Sequence, residues 1–319
     1  MDKASEFQIG IQKEVIMGRE FKTSGISKFS IGWRRLIHNP LAAIFKLSLG
    51  RKIKLIRNDF VPNGKPTIFA ATHVFYDDIA TILCCLKDSA YLLIEADNRE
   101  SMPTGVDCLA LELNGVVTVD RNDKQSRARA FDNMVNVLSF QGNILLFPEA
   151  AWNFSPNALV AKMHWGIIRI AEHANANVVP VAVNLVGNDY CVSIGNYFEC
   201  QNYSSHSEAI DALRDEMATL VWELISLCPP AQREVLNDKY WLAHIREQCG
   251  KRPLEDRDKE EGYMFRSKGE ISLGEVLADM HGLEYKSMAA DYEQYCRIER
   301  LIGGWTKPVS FPSKTRELD

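Results

Sequence analysis

The sequence predicts an α/β fold, in which a central sheet is covered by helices on both faces. Between residues 60 and 228, short apolar runs alternate with amphipathic segments long enough to be helices. The apolar runs contain few polar residues, which is typical of strands that are buried on both faces. Polar residues follow several of these runs directly, at the strand-to-helix positions where α/β proteins usually keep their chemistry.

The elements follow from apolar periodicity and from turn residues. The predicted strands cover residues 51–57, 66–72, 90–96, 115–119, 143–147 and 178–184. The predicted helices cover residues 78–86, 125–138, 159–174 and 205–227. Pro148 stops the fifth strand, and Ser205 with Glu208 resembles a capping box at the start of the last helix.

Three segments are predicted along the chain. Residues 1–59 form an N-terminal arm followed by basic amphipathic helices, which Pro40 is expected to split in two. Residues 60–228 form the α/β domain. Residues 229–319 are more charged and poor in strand signals, and they predict a helical extension with helices near 232–248, 271–282 and 289–302.

The stretch from residue 28 to residue 57 is basic in an otherwise acidic chain. Eight Lys and Arg side chains occur there with aromatic and aliphatic residues between them: Lys28, Arg34, Arg35, Lys46, Arg51, Lys52, Lys54 and Arg57. One interpretation is a surface that rests on anionic lipid headgroups. The other is an amphipathic helix packed on the core with its basic face in water.

Composition excludes several classes of function. The net charge of −5 argues against a general affinity for nucleic acid. No apolar run approaches the roughly 18 residues that span a bilayer, and the N-terminus lacks the apolar core of a signal peptide. The eight cysteines show no CxxC pair, so free thiols in a reducing cytoplasm are expected and not disulfides or a zinc site.

A histidine and two aspartates lie at the first strand-to-helix junction of the predicted domain, in His73-Val-Phe-Tyr-Asp77-Asp78. Residues five apart are about 140° apart on a helix and lie on opposite faces of a strand. His73 can therefore reach Asp78 only if the chain turns between them. A carboxylate on one imidazole nitrogen would leave the other nitrogen free to accept a proton. The alternative is a hydrogen-bonded histidine at a strand end, with Asp78 capping the helix.

Four short motifs together resemble the glycerolipid acyltransferases, which acylate glycerol phosphate and lysophospholipids. His73 and Asp78 match the family's His-x4-Asp motif, and Gly115 to Arg121 matches its short apolar strand ending in Arg. Phe147-Pro-Glu149-Ala-Ala corresponds to its Phe-Pro-Glu-Gly-Thr motif, and residues 179–183 match its apolar strand with a proline. The four occur in the family's order and approximate spacing over residues 60–190.

The resemblance implies a glycerolphosphate acyltransferase-like fold with a mixed, largely parallel sheet. It also implies that His73 is the general base, Asp78 orients it, Arg121 holds an acceptor phosphate and Glu149 helps to bind the acceptor. The donor would be acyl-CoA or acyl-carrier protein and the acceptor a lysophospholipid, glycerol phosphate or related lipid. No cofactor or metal is expected, because the acceptor hydroxyl itself attacks. The expected location is the cytoplasm, peripherally on the inner face of the membrane, with residues 28–57 at the membrane surface.

The third motif departs from the family. The usual Gly-Thr-Arg after the glutamate is replaced by Ala150-Ala151-Trp152. Alanine restricts the backbone where glycine would not, and Trp152 cannot supply a charge for a phosphate. Trp152 is therefore predicted to line the acyl or acceptor pocket or to belong to the core, and an acceptor with less phosphate character becomes possible.

Two other classes of function remain open at this point. The altered third motif is compatible with a lipid-binding relative that has no catalytic activity, although binding alone would not require His73 and Asp78. A metal-dependent hydrolase using His73, Asp77 and Asp78 is the other, but the sequence has no second cluster of ligands at suitable spacing.

Overall fold

The computed structural model describes residues 21–96, 106–150, 152–153 and 158–228. Seven strands in these ranges form one sheet in the order β1-β7-β6-β2-β5-β3-β4. Their bounds are β1 (Lys52–Asn58), β2 (Thr67–Ala71), β3 (Ala90–Glu95), β4 (Val116–Val119), β5 (Asn143–Leu146), β6 (Asn177–Val186) and β7 (Asp189–Ile194).

All neighbouring strands run parallel except β6 and β7, which form an antiparallel pair. The central strands β2 and β5 are buried at every position, as the run of apolar residues in each predicts. The predicted mixed, largely parallel sheet is therefore confirmed.

In the described ranges, six α-helices cover the two faces of this sheet. Their bounds are α1 (Lys28–Leu49), α2 (Asp78–Leu83), α3 (Val106–Asn114), α4 (Lys124–Ser139), α5 (Gly166–Ala174) and α6 (His206–Ile225). The core on one face is built mainly with α1, α2 and α3. The core on the other face is built mainly with α4, α5 and α6.

Pro40 lies inside α1 and does not divide it, so the prediction of two helices in this stretch is wrong. A proline inside a helix costs about 3 kcal/mol, because it removes a hydrogen bond and crowds the preceding turn. Here one buried face continues on both sides of the proline, with Ile31 and His38 before it and Phe45 after it. His38 also hydrogen-bonds through Nε2 to the carbonyl of Leu86 at 3.0 Å. We infer that this packing outweighs the local cost.

The helix predicted for residues 159–174 is only half present, because α5 begins at Gly166. The amides before it have other partners: Ala161 donates to the Glu149 carboxylate at 2.7 Å, and His164 donates to the carbonyl of Pro148 at 2.9 Å. The segment before α5 is thus held against the end of β5.

The sequence analysis also missed α3 and β7. The helices predicted after residue 229 and the arm before residue 21 lie outside the described residues, and the segment boundaries at residues 60 and 228 stay predictions. Strand β1 begins at Lys52 and belongs to the same sheet as the rest of the α/β domain. In the described ranges, we find no helix that is both long and apolar enough to cross a membrane.

Candidate active site

The predicted site residues follow strands that end at one edge of the sheet. Strands β2, β3, β4 and β5 are parallel, so their carboxyl ends lie side by side. His73 comes just after β2, Arg121 just after β4 and Glu149 just after β5. The topology therefore places three distant sequence motifs along the same edge, as α/β proteins do with their sites.

His73 and Asp78 are hydrogen-bonded across a turn formed by residues 74–77. The distance from His73 Nδ1 to Asp78 Oδ2 is 2.6 Å. The same oxygen accepts the Val74 amide at 3.1 Å, and Asp78 is completely buried. Asp78 is therefore the hydrogen-bond partner of the imidazole, and the N-cap of α2 is its neighbour Asp77. With the Nδ1 proton donated to Asp78, Nε2 is the nitrogen that can accept a proton.

The imidazole ring lies between two aromatic side chains. The ring centroid of Phe147 is 4.4 Å from that of His73, and the edge-on ring of Trp152 is 5.4 Å away. The side chain of His73 is 19% exposed, whereas Trp152 is buried. Trp152 thus packs against the His73 ring as a buried side chain.

Glu149 lies beneath His73 and is only 2% exposed. Its Oε1 accepts the backbone amide of His73 at 3.0 Å, and its Oε2 accepts the amide of Ala161 at 2.7 Å. Burial raises the pKa of the Glu149 carboxyl to about 7, against the lowering effect of the Ala161 and His73 amides. Glu149 thus joins the segment that carries His73 to the segment before α5.

Asn153 is a site residue that the sequence analysis did not identify. Its amide donates to the carbonyl of His73 at 2.7 Å. Its side-chain Nδ2 donates to the carbonyls of Ala158 at 2.9 Å and Leu159 at 3.3 Å. Both backbone polar groups of His73 are therefore bonded to the chain that follows β5. Nothing in the sequence pattern singles out this asparagine from others in turns.

Arg121 lies at the same edge and is held by two groups. Its Nε is 3.3 Å from Glu95 Oε2, and its Nη1 donates to the carbonyl of Ala150 at 2.5 Å. Ala150 has φ +59°, the left-handed conformation in which the family usually has glycine. Arg121 thus stabilises the turn after β5 as well as carrying charge at the site. Glu95, which the sequence analysis did not identify, ends β3, and β3 pairs with β4.

Asp77 has a different partner from Asp78. Its Oδ2 accepts the hydroxyl of Tyr190 at 2.7 Å, and the Tyr190 ring stacks on Phe75 at 5.0 Å. Tyr190 belongs to β7, which the two-residue loop Gly187-Asn188 could have revealed as the second strand of a hairpin. The three side chains of the hydrolase alternative therefore do not converge. Among the described residues, no group of three or more His, Cys, Asp and Glu side chains could hold a metal ion.

The comparisons with known proteins agree with this geometry. Residues 52–184 match the model of the family described as Acyltransferase. Among solved structures, the 1-acyl-sn-glycerophosphate (LPA) acyltransferase PlsC from Thermotoga maritima is similar with a TM-score of 0.50 and 17% sequence identity. That match covers 62% of this chain and 83% of PlsC, and it shows a common fold. The search of curated proteins gave no match. The family resemblance predicted from the four motifs is confirmed, because residues 52–184 match the acyltransferase family.

Proposed function

We propose that this chain transfers a fatty acyl group from an acyl thioester to a hydroxyl of a glycerolipid acceptor. The donor is acyl-CoA or acyl-carrier protein, and the acceptor is a lysophospholipid, glycerol phosphate or a related lipid. His73 is the general base, and Asp78 orients it. The observation that carries this proposal is the 2.6 Å hydrogen bond from His73 Nδ1 to Asp78 Oδ2 at the edge where the family motifs meet.

The chemistry requires a base but no protein nucleophile. Nε2 of His73 removes the proton of the acceptor hydroxyl as the oxygen attacks the thioester carbonyl carbon. The new C–O bond forms, the C–S bond breaks, and the imidazolium returns the proton to the leaving thiolate. The products are an ester and a free thiol. The buried negative charge of Asp78 stabilises the imidazolium between the two proton transfers.

Three further residues have roles in this proposal, one in binding the acceptor and two in positioning His73. Arg121 carries the positive charge at the sheet edge and is the residue that we assign to the acceptor headgroup. Trp152 and Glu149 act by positioning, because Trp152 packs on the His73 ring and Glu149 binds the His73 amide. Since Arg121 also pairs with Glu95, part of its charge is already compensated, which favours acceptors with modest phosphate character.

We also infer where the reaction takes place. A lipid acceptor resides in a membrane, whereas acyl-CoA and acyl-carrier protein are water-soluble donors of the cytoplasm. The enzyme would therefore act from the cytoplasm on the inner face of the membrane, where it meets both substrates.

The test is an acceptor panel. Purified full-length protein is incubated with labelled palmitoyl-CoA or palmitoyl-carrier protein, and with lysophosphatidate, lysophosphatidylcholine, lysophosphatidylglycerol or glycerol 3-phosphate. The proposal predicts that free thiol and acylated lipid appear in equal amounts with at least one pair. Saturable lipid binding without transfer for every pair would contradict it and would favour the non-catalytic relative. Thiol release without acylated lipid would indicate a thioesterase.

A further inference from the structure

Glu95 forms an ion pair with Arg121 at the sheet edge that carries the candidate active site. The Arg121 Nε atom is 3.3 Å from Glu95 Oε2, and the two side chains are 29% and 27% exposed. In the described part of the chain, Oε1 of Glu95 has no hydrogen-bond partner of its own. An ion pair this exposed adds little to stability, whereas both of its members are open to a ligand.

The guanidinium of Arg121 lies between Glu95 and the turn after β5. The strand order places β3 between β5 and β4. Arg121 follows β4, so its side chain reaches across the end of β3 to donate to the carbonyl of Ala150 at 2.5 Å. The edge therefore carries three groups in order: the imidazole of His73 after β2, the guanidinium of Arg121 and the carboxylate of Glu95 at the end of β3.

The spacing of these groups matches that of a lysophospholipid with an ethanolamine headgroup. Neighbouring strands are about 4.8 Å apart, so the three groups follow one another at roughly that interval from β2 to β5 to β3. In such a lipid, the same number of bonds separates the 2-hydroxyl oxygen from the phosphorus as separates the phosphorus from the ammonium nitrogen. With single bonds of about 1.5 Å, each of these intervals spans about 5 Å.

The charges at this edge also favour such a headgroup. The guanidinium of Arg121 already contacts the Glu95 carboxylate and the Ala150 carbonyl. Arg127 is a second cation nearby, but it is exposed and donates to the backbone carbonyl of Arg121. A phosphomonoester with nearly two negative charges would be repelled by the Glu95 carboxylate. A phosphodiester with a neighbouring ammonium group would place an opposite charge on each member of the pair.

We propose that Glu95 selects acceptors whose headgroup carries an ammonium group beside a phosphodiester, as in lysophosphatidylethanolamine. Glu95 Oε1 accepts an N–H of the ammonium group, and the Arg121 guanidinium donates to the phosphate oxygens. The acceptor hydroxyl then lies at Nε2 of His73. The inference rests on the proposed function, because it names the headgroup of the acceptor in that reaction. Glu95 binds the substrate and takes no part in the proton transfers.

The experiment measures equilibrium binding to the full-length protein by isothermal titration calorimetry, without an acyl donor. The ligands are short-chain, monomeric forms of lysophosphatidylethanolamine, lysophosphatidylglycerol and lysophosphatidate. The first two are phosphodiesters of similar size, and only the first has an ammonium group. Its Kd should be at least about tenfold lower than that of lysophosphatidylglycerol, which corresponds to one hydrogen bond between charged groups. The kcat/KM values for acyl transfer should show the same preference.

Two substitutions locate the preference. Glu95→Gln keeps the shape and removes the charge, so the Kd values of the two phosphodiesters should come within about threefold of each other. The matched control is Glu223→Gln, which also removes a carboxylate from an arginine, because Glu223 Oε1 is 2.6 Å from Arg57 Nη1. Arg57 lies near the end of β1, at the opposite edge of the sheet, so this variant should keep the full preference. Circular dichroism establishes that both variants fold.

Several outcomes would overturn the proposal: equal binding of the two phosphodiesters by the unaltered chain, tighter binding of lysophosphatidate, or binding of none of the three. An undiminished preference in folded Glu95→Gln would overturn it as well. The comparison on the unaltered chain needs no variant, so it decides the matter even if Glu95→Gln does not fold. Acyl transfer without a headgroup preference would refute this inference alone. A binding preference without transfer to any acceptor would refute the proposed function alone.

Discussion

At the scale of residues, the two neighbouring aspartates at the end of β2 have different partners. Asp78 is buried and accepts from His73 Nδ1 and from the Val74 amide. Asp77 accepts from the hydroxyl of Tyr190. The order of these two carboxylates in the chain would not distinguish them, but the turn over residues 74–77 does.

The two aspartates therefore provide a matched pair of substitutions. Asp78→Asn keeps the shape but removes the charge that stabilises the imidazolium, so kcat/KM for acyl transfer should fall by about 10²- to 10⁴-fold. Asp77→Asn can still accept from Tyr190 and should change kcat/KM by less than about tenfold. Steady-state kinetics of the two variants check this. Equal losses in both would show that the Asp78 contact has no special role.

Glu149 predicts a specific dependence of stability on pH. Burial raises its pKa to about 7 from the ordinary value of 4.5. Between these values the folded state binds the proton more tightly than the unfolded state, so the free energy of unfolding should fall as the pH rises through this window. The decrease from this one group is roughly 3 kcal/mol and is complete above about pH 7.

Urea unfolding from pH 4.5 to pH 8 measures this effect. The Glu149→Gln variant should lack this decrease. The free energy of unfolding of the unaltered chain should therefore fall relative to that of the variant by roughly 3 kcal/mol across the window. Glu216, which is exposed on α6, supplies the control substitution Glu216→Gln, and that variant should follow the unaltered chain. Parallel pH profiles for all three proteins would show that Glu149 is ionised throughout the window.

The sequence paired His73 with Asp78 through the His-x4-Asp motif of the family that it resembles, and the spacing added that such a pair requires a turn. It was not sufficient for Glu149. The partners of its carboxylate are the backbone amides of His73 and Ala161. Almost every residue has a backbone amide, so residue types do not indicate such a contact. Asn153 was missed for the same reason, because its contact with His73 joins two backbone groups.

At the scale of elements, the turn after β5 has alanine where the family has glycine. Ala150 nevertheless adopts φ +59°, and Arg121 donates to its carbonyl at 2.5 Å. A residue with a Cβ in this conformation costs about 1 kcal/mol relative to glycine. The contacts around the turn therefore hold the backbone in the conformation that glycine would adopt without strain.

The strained conformation of Ala150 predicts that a substitution to glycine stabilises the protein, and the same substitution at a helical alanine is a control with the opposite effect. Ala150→Gly should raise the free energy of unfolding by about 1 kcal/mol, because it removes the cost of the left-handed conformation. Ala43→Gly, at an exposed position inside α1, should lower it by about 1 kcal/mol. Denaturant unfolding at one pH measures both. A loss of stability in Ala150→Gly as large as that in Ala43→Gly would contradict the assigned backbone conformation.

The elements that the sequence predicted poorly share a physical cause. Local propensity favoured a break at Pro40 and a helix from residue 159, yet tertiary contacts decided both. The buried face of α1 continues across the proline, and the amides before Gly166 are used by Glu149 and Pro148. Strands β2 and β5 were predicted well because burial on both faces leaves a continuous apolar run in each.

At the scale of the whole molecule, the sheet brings three separate motifs and Glu95 to one edge. The parallel strands β2, β3, β4 and β5 bring His73, Glu95, Arg121 and Glu149 to one edge. Strand β1 begins near the same edge, so α1 ends close to the site.

The central claim is that His73 is the general base of an acyl transfer, and the most direct measurement is the rate constant kcat/KM for acylation of the preferred acceptor by His73→Ala. The comparison is with His173→Ala, whose exposed imidazole lies on α5 and contacts the carbonyl of Arg169. The account predicts a loss of about 10²- to 10⁴-fold for His73→Ala and little change for His173→Ala. Transfer by a folded His73→Ala protein at the rate of the unaltered chain would contradict the account.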